Sequence, residues 1–274
     1  MKQSKYISLL SDTTFKYLFK KKEYRFFFEE VIKYTTGIDI RGYKLLDNEL
    51  NSGNRIKDYR LDILLEKGNH LISIEMNQYV YPYINIKNET YLYRLAGSGY
   101  LESDQYKRKY VTQINFNNSR SSYAGVIDYE LQNKEYNLVI EGIKKYEIHL
   151  LNYKGIRYNG SNKKEMYLSM FTAKSYEELE EIIGESKEGK KMYEELKRLG
   201  IDDKYNAYYD AEIVHKKEMN SARYEGRREG MQAGKKENQL EIARNMLRSG
   251  EDISKVTKYT GLSQKEVSKL VQMS

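Results

Sequence analysis

The sequence contains no cysteine, and this absence removes several classes of chemistry at once. It excludes disulfide bonds, thiolate zinc sites and cysteine nucleophiles. Histidine is scarce as well, with three scattered residues at positions 70, 149 and 215, which argues against a metal site or a catalytic triad built on imidazole. Chemistry in this chain is therefore sought among its carboxylates, amides and basic side chains.

Long hydrophobic runs are absent too. The N-terminal stretch MKQSKYISLLSD has an apolar run that is too short for a signal peptide, and no segment approaches the length of a membrane span. We therefore expect a cytoplasmic protein with no membrane partner. Tryptophan is missing, whereas tyrosine occurs 28 times. Because Lys, Asn and Ile are abundant as well, we attribute the tyrosines as a group to a biased genome rather than to base stacking.

The size and charge of the chain set further bounds. Its 274 residues allow one large domain with an appendage, or two domains. The formal charge of +7 leans toward a polyanionic partner, but no domain-wide basic tract produces this charge. The same compositional bias explains the excess of lysine equally well.

The N-terminal part alternates helix-like and strand-like patterns. Residues 12–35 carry two apolar stripes at helical spacing, and residues 83–101, after the only proline, are helical as well. Strand-like segments are predicted at residues 43–50, 59–66, 70–77, 109–117, 123–131 and 145–153. The order of helix, three-strand meander, helix and further strands predicts a mixed α/β core.

From about residue 163 the chain becomes helical, charged and poor in strand-forming residues. We therefore predict two domains, a core over residues 1–160 and a helical C-terminal region over residues 161–274. Glycines 226, 230 and 234 share one helical face, where they either let another backbone approach closely or belong to a solvated connecting helix. We predict that the C-terminal helices form a homo-oligomer.

The chain ends in a pattern for two short helices. Ser263 and Glu266 form a capping box, and Leu262 and Val267 occupy the matching hydrophobic-staple positions. A helix is therefore predicted to begin after the Thr-Gly-Leu-Ser turn, which is the outline of a helix-turn-helix. Because this second helix offers few base-reading side chains, we favour a helical hairpin that packs against a partner chain.

Two acids lie inside apolar strand patterns in the stretch RLDILLEKGNHLISIEMNQ, residues 60–78. Gly68-Asn69 is a favoured pair for a two-residue hairpin turn. Pairing outward from this turn places Asp62 directly opposite Glu75, with both side chains on one face, and places Arg60 opposite Asn77. A slip of one residue would separate the two acids.

Like charges that face each other across a strand pair are destabilising, so a compensating partner is expected. A divalent cation is the first candidate, since Mg²⁺ takes one or two protein carboxylates and keeps several waters. A proton shared between Asp62 and Glu75 is the second. Neutralisation by Arg60, without any catalysis, is the third. The geometry favours the metal without deciding between them.

At this point the sequence resembles a known family. A helix followed by strands that bear D…(D/E)-x-K and by a second helix is the pattern of the PD-(D/E)XK nuclease superfamily. The chain resembles most closely its Rpn group of recombination-promoting nucleases, also called PD-(D/E)XK nuclease family transposases. The matching segments are DTTFKYLF at 12–19, RLDILLE at 60–66, ISIEMNQ at 72–78, YLYRLAGSGY at 91–100, YVTQINFN at 110–117 and the C-terminal IARNMLRSGEDISKVTKYTGLSQKEVSKL.

The resemblance implies a restriction-endonuclease-like core and a metal-dependent DNA endonuclease that uses Mg²⁺ or Mn²⁺. Such an enzyme would act in recombination, mobile-element biology or genome defence. Carried over to this chain, Asp62 and Glu75 are the metal ligands, and Asp12 is the acid supplied by the first helix. An alternative role for Asp12 is the N-cap of a helix that begins at Thr13.

The chain departs from the superfamily at position 77, where Asn77 stands in place of the lysine. An amide can orient a water but carries no positive charge. Either the metal acts alone, or another cation enters the site. We consider Arg60 from the strand register, and Lys16, which lies four residues after Asp12 on the same helical face. Arg94 is a further candidate for holding a phosphate of the DNA, or a partner for Glu89.

These observations leave three functional hypotheses, in order of preference. The first is a Mg²⁺-dependent DNA endonuclease with a self-associating tail. The second is a catalytically weak or inactive nuclease-fold module that binds DNA or protein. The third is a helix-turn-helix DNA-binding protein whose α/β part is regulatory. Retention of both acids favours the first hypothesis over the second.

Overall fold

The computed structural model describes residues 4–46, 49–50, 59–97, 109–133, 135–136 and 138–272, with the backbone alone at 49–50, 59–60, 140, 212, 215, 216 and 272. It confirms a mixed α/β architecture that is followed by helices. The elements up to the end of the sheet are α1 (Asp12–Lys20), α2 (Lys22–Thr36), β1 (Lys44–Leu45), β2 (Glu49–Leu50), β3 (Tyr59–Arg60), β4 (Ile63–Lys67), β5 (His70–Asn77), α3 (Ile84–Gly97), β6 (Tyr110–Asn117), β7 (Val126–Asn133) and β8 (Leu138–His149).

The remaining elements are helical. A 3₁₀ turn at Leu150–Asn152 follows the sheet. After it come α4 (Lys163–Met170), α5 (Tyr176–Ile183), α6 (Lys187–Ile201), α7 (Asp203–Arg248), α8 (Ile253–Thr260) and α9 (Gln264–Gln272).

Six strands form the main sheet, in the order β1-β4-β5-β6-β8-β7, and β2 and β3 pair separately. The predicted hairpin register is confirmed from Lys67 paired with His70 outward to Ile63 paired with Ile74. Gly68 occupies the turn with a φ of 60°, a conformation that glycine adopts without steric cost. Helix α3 then crosses over, so β6 runs parallel to β5, and β8 runs parallel to β6.

Helices cover both faces of the central strands, which explains why β5 and β6 are buried along almost their whole length. On one face, Leu92 and Leu95 of α3 pack in a cluster with Leu71 and Val111. On the other face, Phe15 of α1 contacts the ring of Phe116 at 6.4 Å between centroids. Helices α1 and α3 therefore approach the same strands from opposite sides.

Contacts divide the chain into two compact units, Met1–Tyr209 and Asp210–Ser274. Helices α4, α5 and α6 fall in the first unit, where α4 and α6 contact α2. The predicted division into domains at residues 160 and 161 stays a prediction. Across the part of the chain that the structure describes, no helix is long and apolar enough to cross a membrane.

The second unit contains its own small core, formed by the end of α7 with α8 and α9. Its buried residues are Ala243, Val256, Leu262, Val267 and Leu270. The capping box predicted at the start of α9 is present, because the Ser263 N–H donates to Glu266 Oε2 at 2.8 Å and the Glu266 N–H donates to Ser263 Oγ at 3.3 Å. The predicted staple is present as well, since Leu262 and Val267 share this core.

Candidate active site

The structure brings Asp62 and Glu75 together where β4 begins and β5 ends. The β4–β5 ladder stops one pair short of them, and the chain bends at Asp62. Each carboxylate nevertheless reaches the other strand. Asp62 Oδ2 accepts from the Met76 N–H at 2.9 Å, and Glu75 Oε1 accepts from the Asp62 N–H at 3.2 Å. These reciprocal bonds fix one oxygen of each acid and hold the two acids next to each other.

The second oxygen of each acid faces a lysine. Lys16 Nζ lies 2.8 Å from Asp62 Oδ1, and Lys87 Nζ lies 3.3 Å from Glu75 Oε2. Lys16 comes from α1 and Lys87 from α3, so the two ammonium groups arrive from opposite faces of the sheet. The pair of acids is thus flanked by two cations.

Helix α1 contributes a third carboxylate. Lys16 Nζ also contacts Asp12 Oδ2 at 2.9 Å, which makes Lys16 a bridge between Asp12 and Asp62. The alternative role of Asp12 as an N-cap is wrong, because α1 already begins at Asp12 and Ser11 is its N-cap, with Ser11 Oγ accepting from the Thr14 N–H at 3.3 Å. The side chain of Asp12 is therefore available to the site.

Lys87 is the site residue that the sequence analysis missed. It lies in the first turn of α3 and is the only lysine of that helix, which is the one signal that could have pointed to it. Its ammonium group also lies 5.1 Å from the ring centroid of Tyr91. Lys87 therefore supplies, from a neighbouring helix, a positive charge beside Glu75 that position 77 lacks.

Asn77 lies two residues after Glu75, on the same face of β5. Its Nδ2 donates to Asn117 Oδ1 of the adjacent strand at 2.9 Å, and both side chains are buried. This bond fixes the orientation of the amide. Asn77 thus has a defined position beside the acids, held from β6.

The structure bears differently on the two arginines considered as DNA contacts, Arg60 and Arg94. The pairing of Arg60 with Asn77 is wrong, because the bend at Asp62 ends the ladder and the backbone of Arg60 pairs with Glu49 in the separate two-stranded sheet. The side chain of Arg60 lies outside the described residues. Arg94 lies seven residues after Lys87 on α3, about 10 Å further along the helix axis. The carboxylate of Glu89, considered as a partner for Arg94, lies 3.5 Å from Lys145 Nζ.

Burial and charge shift the protonation of the central groups. Burial, and then the Asp62 carboxylate, raise the pKa of Glu75 well above its usual range, although Lys87 opposes this shift. Burial lowers the pKa of Lys87, but Glu75 and Asp62 outweigh burial and leave this pKa raised. Lys16 behaves in the same way, with Asp62 and then Asp12 as the opposing charges. The neighbouring carboxylates therefore raise the pKa values of both lysines and, together with burial, that of Glu75.

The donor set fits a hard divalent cation. Asp62 and Glu75 each have a second oxygen that faces an ammonium group, and Mg²⁺ uses one or two such carboxylates together with waters. Next to Glu75 in the register, Asn115 Oδ1 is buried, and no described residue donates to it. A richer ligand set is lacking, because the described ranges contain no cluster of three or more acidic, histidine or cysteine side chains of metal-binding geometry.

Comparison with known proteins gives a match for the C-terminal segment of the chain. Residues 236–272 match the family model described as "Rpn/YhgA-like nuclease family, C-terminal HTH domain". This match confirms the resemblance to the Rpn family and assigns α8 and α9 to a helix-turn-helix domain, the alternative ranked below a helical hairpin in the sequence analysis. No curated protein matches the chain. No solved structure matches it either.

Proposed function

We propose that the chain is a metal-dependent DNA endonuclease that hydrolyses phosphodiester bonds. The observation that carries this proposal is the pair Asp62 and Glu75, with one oxygen of each acid fixed by a backbone N–H and the other facing a cation. The match of the C-terminal segment to a nuclease family supports the same class. The α/β unit then corresponds to a PD-(D/E)XK core.

Asp62 and Glu75 would hold Mg²⁺ or Mn²⁺, with Asp12 as a nearby third acid. Bound there, such an ion supplies charge stabilisation at phosphorus and lowers the pKa of a water. The chain itself contributes the positions of these acids. The amides of Asp62 and Met76 hold the carboxylates before any ligand arrives, so binding costs little reorganisation.

Lys87 and Asn77 divide the task that one lysine performs in the superfamily pattern. Lys87 provides positive charge beside Glu75, where it would contact a phosphate oxygen of the DNA. Asn77, oriented by Asn117, would hold a water by hydrogen bonding. Lys16 holds Asp62 and Asp12 together through its contact with both carboxylates. Arg94, two turns beyond Lys87, is proposed to contact the DNA backbone.

The helix-turn-helix of the second unit would bind DNA and bring it to the chain. We further propose that α7, α8 and α9 associate with a second copy of the chain. The match to a helix-turn-helix domain also favours a second candidate function, a DNA-binding protein that has lost cleavage. The two candidates differ in whether the acidic pair supports hydrolysis.

The test is nicking of supercoiled plasmid at fixed salt, with Mg²⁺ and with EDTA. Asp62→Asn and Glu75→Gln should each abolish nicking, because each removes charge that the hard cation requires. Glu66→Gln is a matched control, since Glu66 is a carboxylate of the same strand that pairs with Lys109 away from the site. Nicking that persists in Asp62→Asn or in EDTA would show that the acids are structural.

A further inference from the structure

A second feature of α1 lies outside the candidate active site. A cavity of about 340 Å³ lies beside this helix, entirely within the first unit. Its lining residues are Thr13, Tyr17, Lys21, Asp202, Lys204, Tyr205 and Tyr208. The volume falls within the range of small-molecule sites, about 300–1,000 Å³. The lining thus combines three tyrosines with two lysines.

The aromatic side chains form a wall with one exposed ring. Tyr17 and Tyr205 pack edge to face at 4.9 Å between centroids. Tyr205 is buried, and its hydroxyl donates to Thr14 Oγ1 at 2.7 Å, which fixes the ring. Tyr208, one turn away on α7, is 67% exposed. Tyr17 also stacks with Tyr24 at 6.5 Å between centroids, and Lys21 Nζ lies 5.5 Å from the Tyr17 centroid. The exposed ring of Tyr208 is therefore the one on which a flat ring of a ligand can stack, as nucleobases do on tyrosine.

The charge at the cavity is positive. Lys21 and Lys204 are both exposed, and Lys21 belongs to the basic run Lys20–Lys22. The single acid, Asp202, is engaged, because its Oδ1 accepts from the Tyr205 N–H at 2.9 Å. Helix α2 begins directly after Lys21, and its N-terminus has no side-chain cap. Lys21 is also the C-cap of α1, so the opposed helix ends offset each other there, and the positive charge at the cavity comes from the two lysines.

The cavity and the candidate active site share a helix. Two cavity residues, Thr13 and Tyr17, are the sequence neighbours of Asp12 and Lys16. Lys16 contacts both Asp12 and Asp62 of the candidate active site. Successive residues of a helix are rotated by about 100°, so the two pairs lie on neighbouring faces.

We propose that this cavity binds a nucleotide, with the base against Tyr208 and the phosphate beside Lys21 and Lys204. The nucleotide is either part of an unpaired DNA strand or a free mononucleotide. In the first case the cavity is a subsite of the proposed nuclease, and this inference rests on the proposed function. In the second case it is a separate binding site.

The absence of tryptophan from the chain makes a direct test possible. Tyr208→Trp introduces a single tryptophan at the cavity, and Tyr123→Trp, at a residue that is 92% exposed, is the matched control. In EDTA, with selective tryptophan excitation, thymidine monophosphate should quench the first variant and leave the second unchanged. Thymidine alone and inorganic phosphate alone should each need at least about tenfold higher concentration, since each lacks half of the contacts.

Further variants separate the two parts of the ligand. In the Tyr208→Trp background, Lys21→Gln and Lys204→Gln should each weaken binding of the nucleotide by roughly three- to tenfold, because each removes a charged contact to phosphate. Neither change should alter binding of thymidine. Lys144→Gln, at a half-exposed lysine of β8, controls for the loss of one charge.

A single-stranded oligonucleotide in the same assay distinguishes the sources of the nucleotide. Quenching by the oligonucleotide but not by the mononucleotide supports the strand subsite, and quenching by both supports a general nucleotide site. Equal quenching in Tyr208→Trp and Tyr123→Trp, or none with either ligand at millimolar concentration, overturns the proposal. Because no cleavage is measured, the result does not depend on whether the chain is an active nuclease.

Discussion

Replacing Lys87 with methionine should destabilise the first unit by much more than the loss of an exposed ion pair does. Lys87 Nζ lies 3.3 Å from a carboxylate that is 1% exposed. Lys109 offers a closely matched control, since it has nearly the same exposure and lies 3.4 Å from Glu66, whose side chain is 32% exposed. Lys87→Met and Lys109→Met therefore differ mainly in the burial of the acid that each leaves behind.

The expected magnitude follows from that difference. At an effective dielectric constant of about 20, either pair has a gross attraction of about 5 kcal/mol, so distance does not distinguish them. Breaking a fully buried pair costs about 3–5 kcal/mol, whereas an exposed pair is worth about 0–1 kcal/mol. Because the side chain of Lys87 is about one-third exposed, we expect a loss of about 2 kcal/mol for Lys87→Met and of less than about 1 kcal/mol for Lys109→Met.

Scanning calorimetry of the full chain in EDTA measures the two changes. A decrease of about 2 kcal/mol in the free energy of unfolding lowers the Tm by about 4–8 °C for a unit of this size. Addition of Mg²⁺ should restore part of the loss in Lys87→Met, since a bound cation replaces the missing charge, and should do nothing specific in Lys109→Met. Equal Tm values for the two variants, or no recovery with Mg²⁺, would refute the reasoning about the acidic pair.

Two other predictions follow from the site and the second unit. Asn77→Ala should lower the nicking rate less than Asp62→Asn does. It should also lower the stability by about 1–3 kcal/mol, because Asn117 Oδ1 loses its buried donor. A nicking rate as low as that of Asp62→Asn would contradict the limited role given to the amide. Full-length protein should show a larger mass by light scattering than a truncated protein that ends at Tyr209, and two monomers would refute self-association through the C-terminal helices.

The opposed acids could be predicted from the sequence because their positions depend on local rules. The Gly68-Asn69 turn fixes the register of one hairpin, and alternation along the strands then decides which side chains share a face. The capping box at Ser263 was predictable for the same reason, since it depends on residues four positions apart at most.

Features that depend on distant packing could not be predicted. Lys87 reaches Glu75 because α3 crosses over the sheet, and nothing in the local pattern of α3 specifies that contact. The predicted pairing of Arg60 assumes that the β4–β5 ladder continues regularly beyond Ile63. The chain instead bends at Asp62, and Arg60 pairs with Glu49 of β2. The cavity beside α1 combines residues almost 200 positions apart in the sequence.

If the proposed function is correct, the balance of charge at the candidate active site requires that a divalent cation binds before DNA. Three carboxylates and two ammonium groups lie in contact there, so the local charge is −1 when all of them are ionised. A phosphate would then meet a site of its own sign. With a divalent cation added, the local charge becomes +1, and the same side chains attract the DNA backbone. Under the proposed function, the two lysines offset only part of the charge of the ionised acids, and a divalent cation would neutralise the remainder.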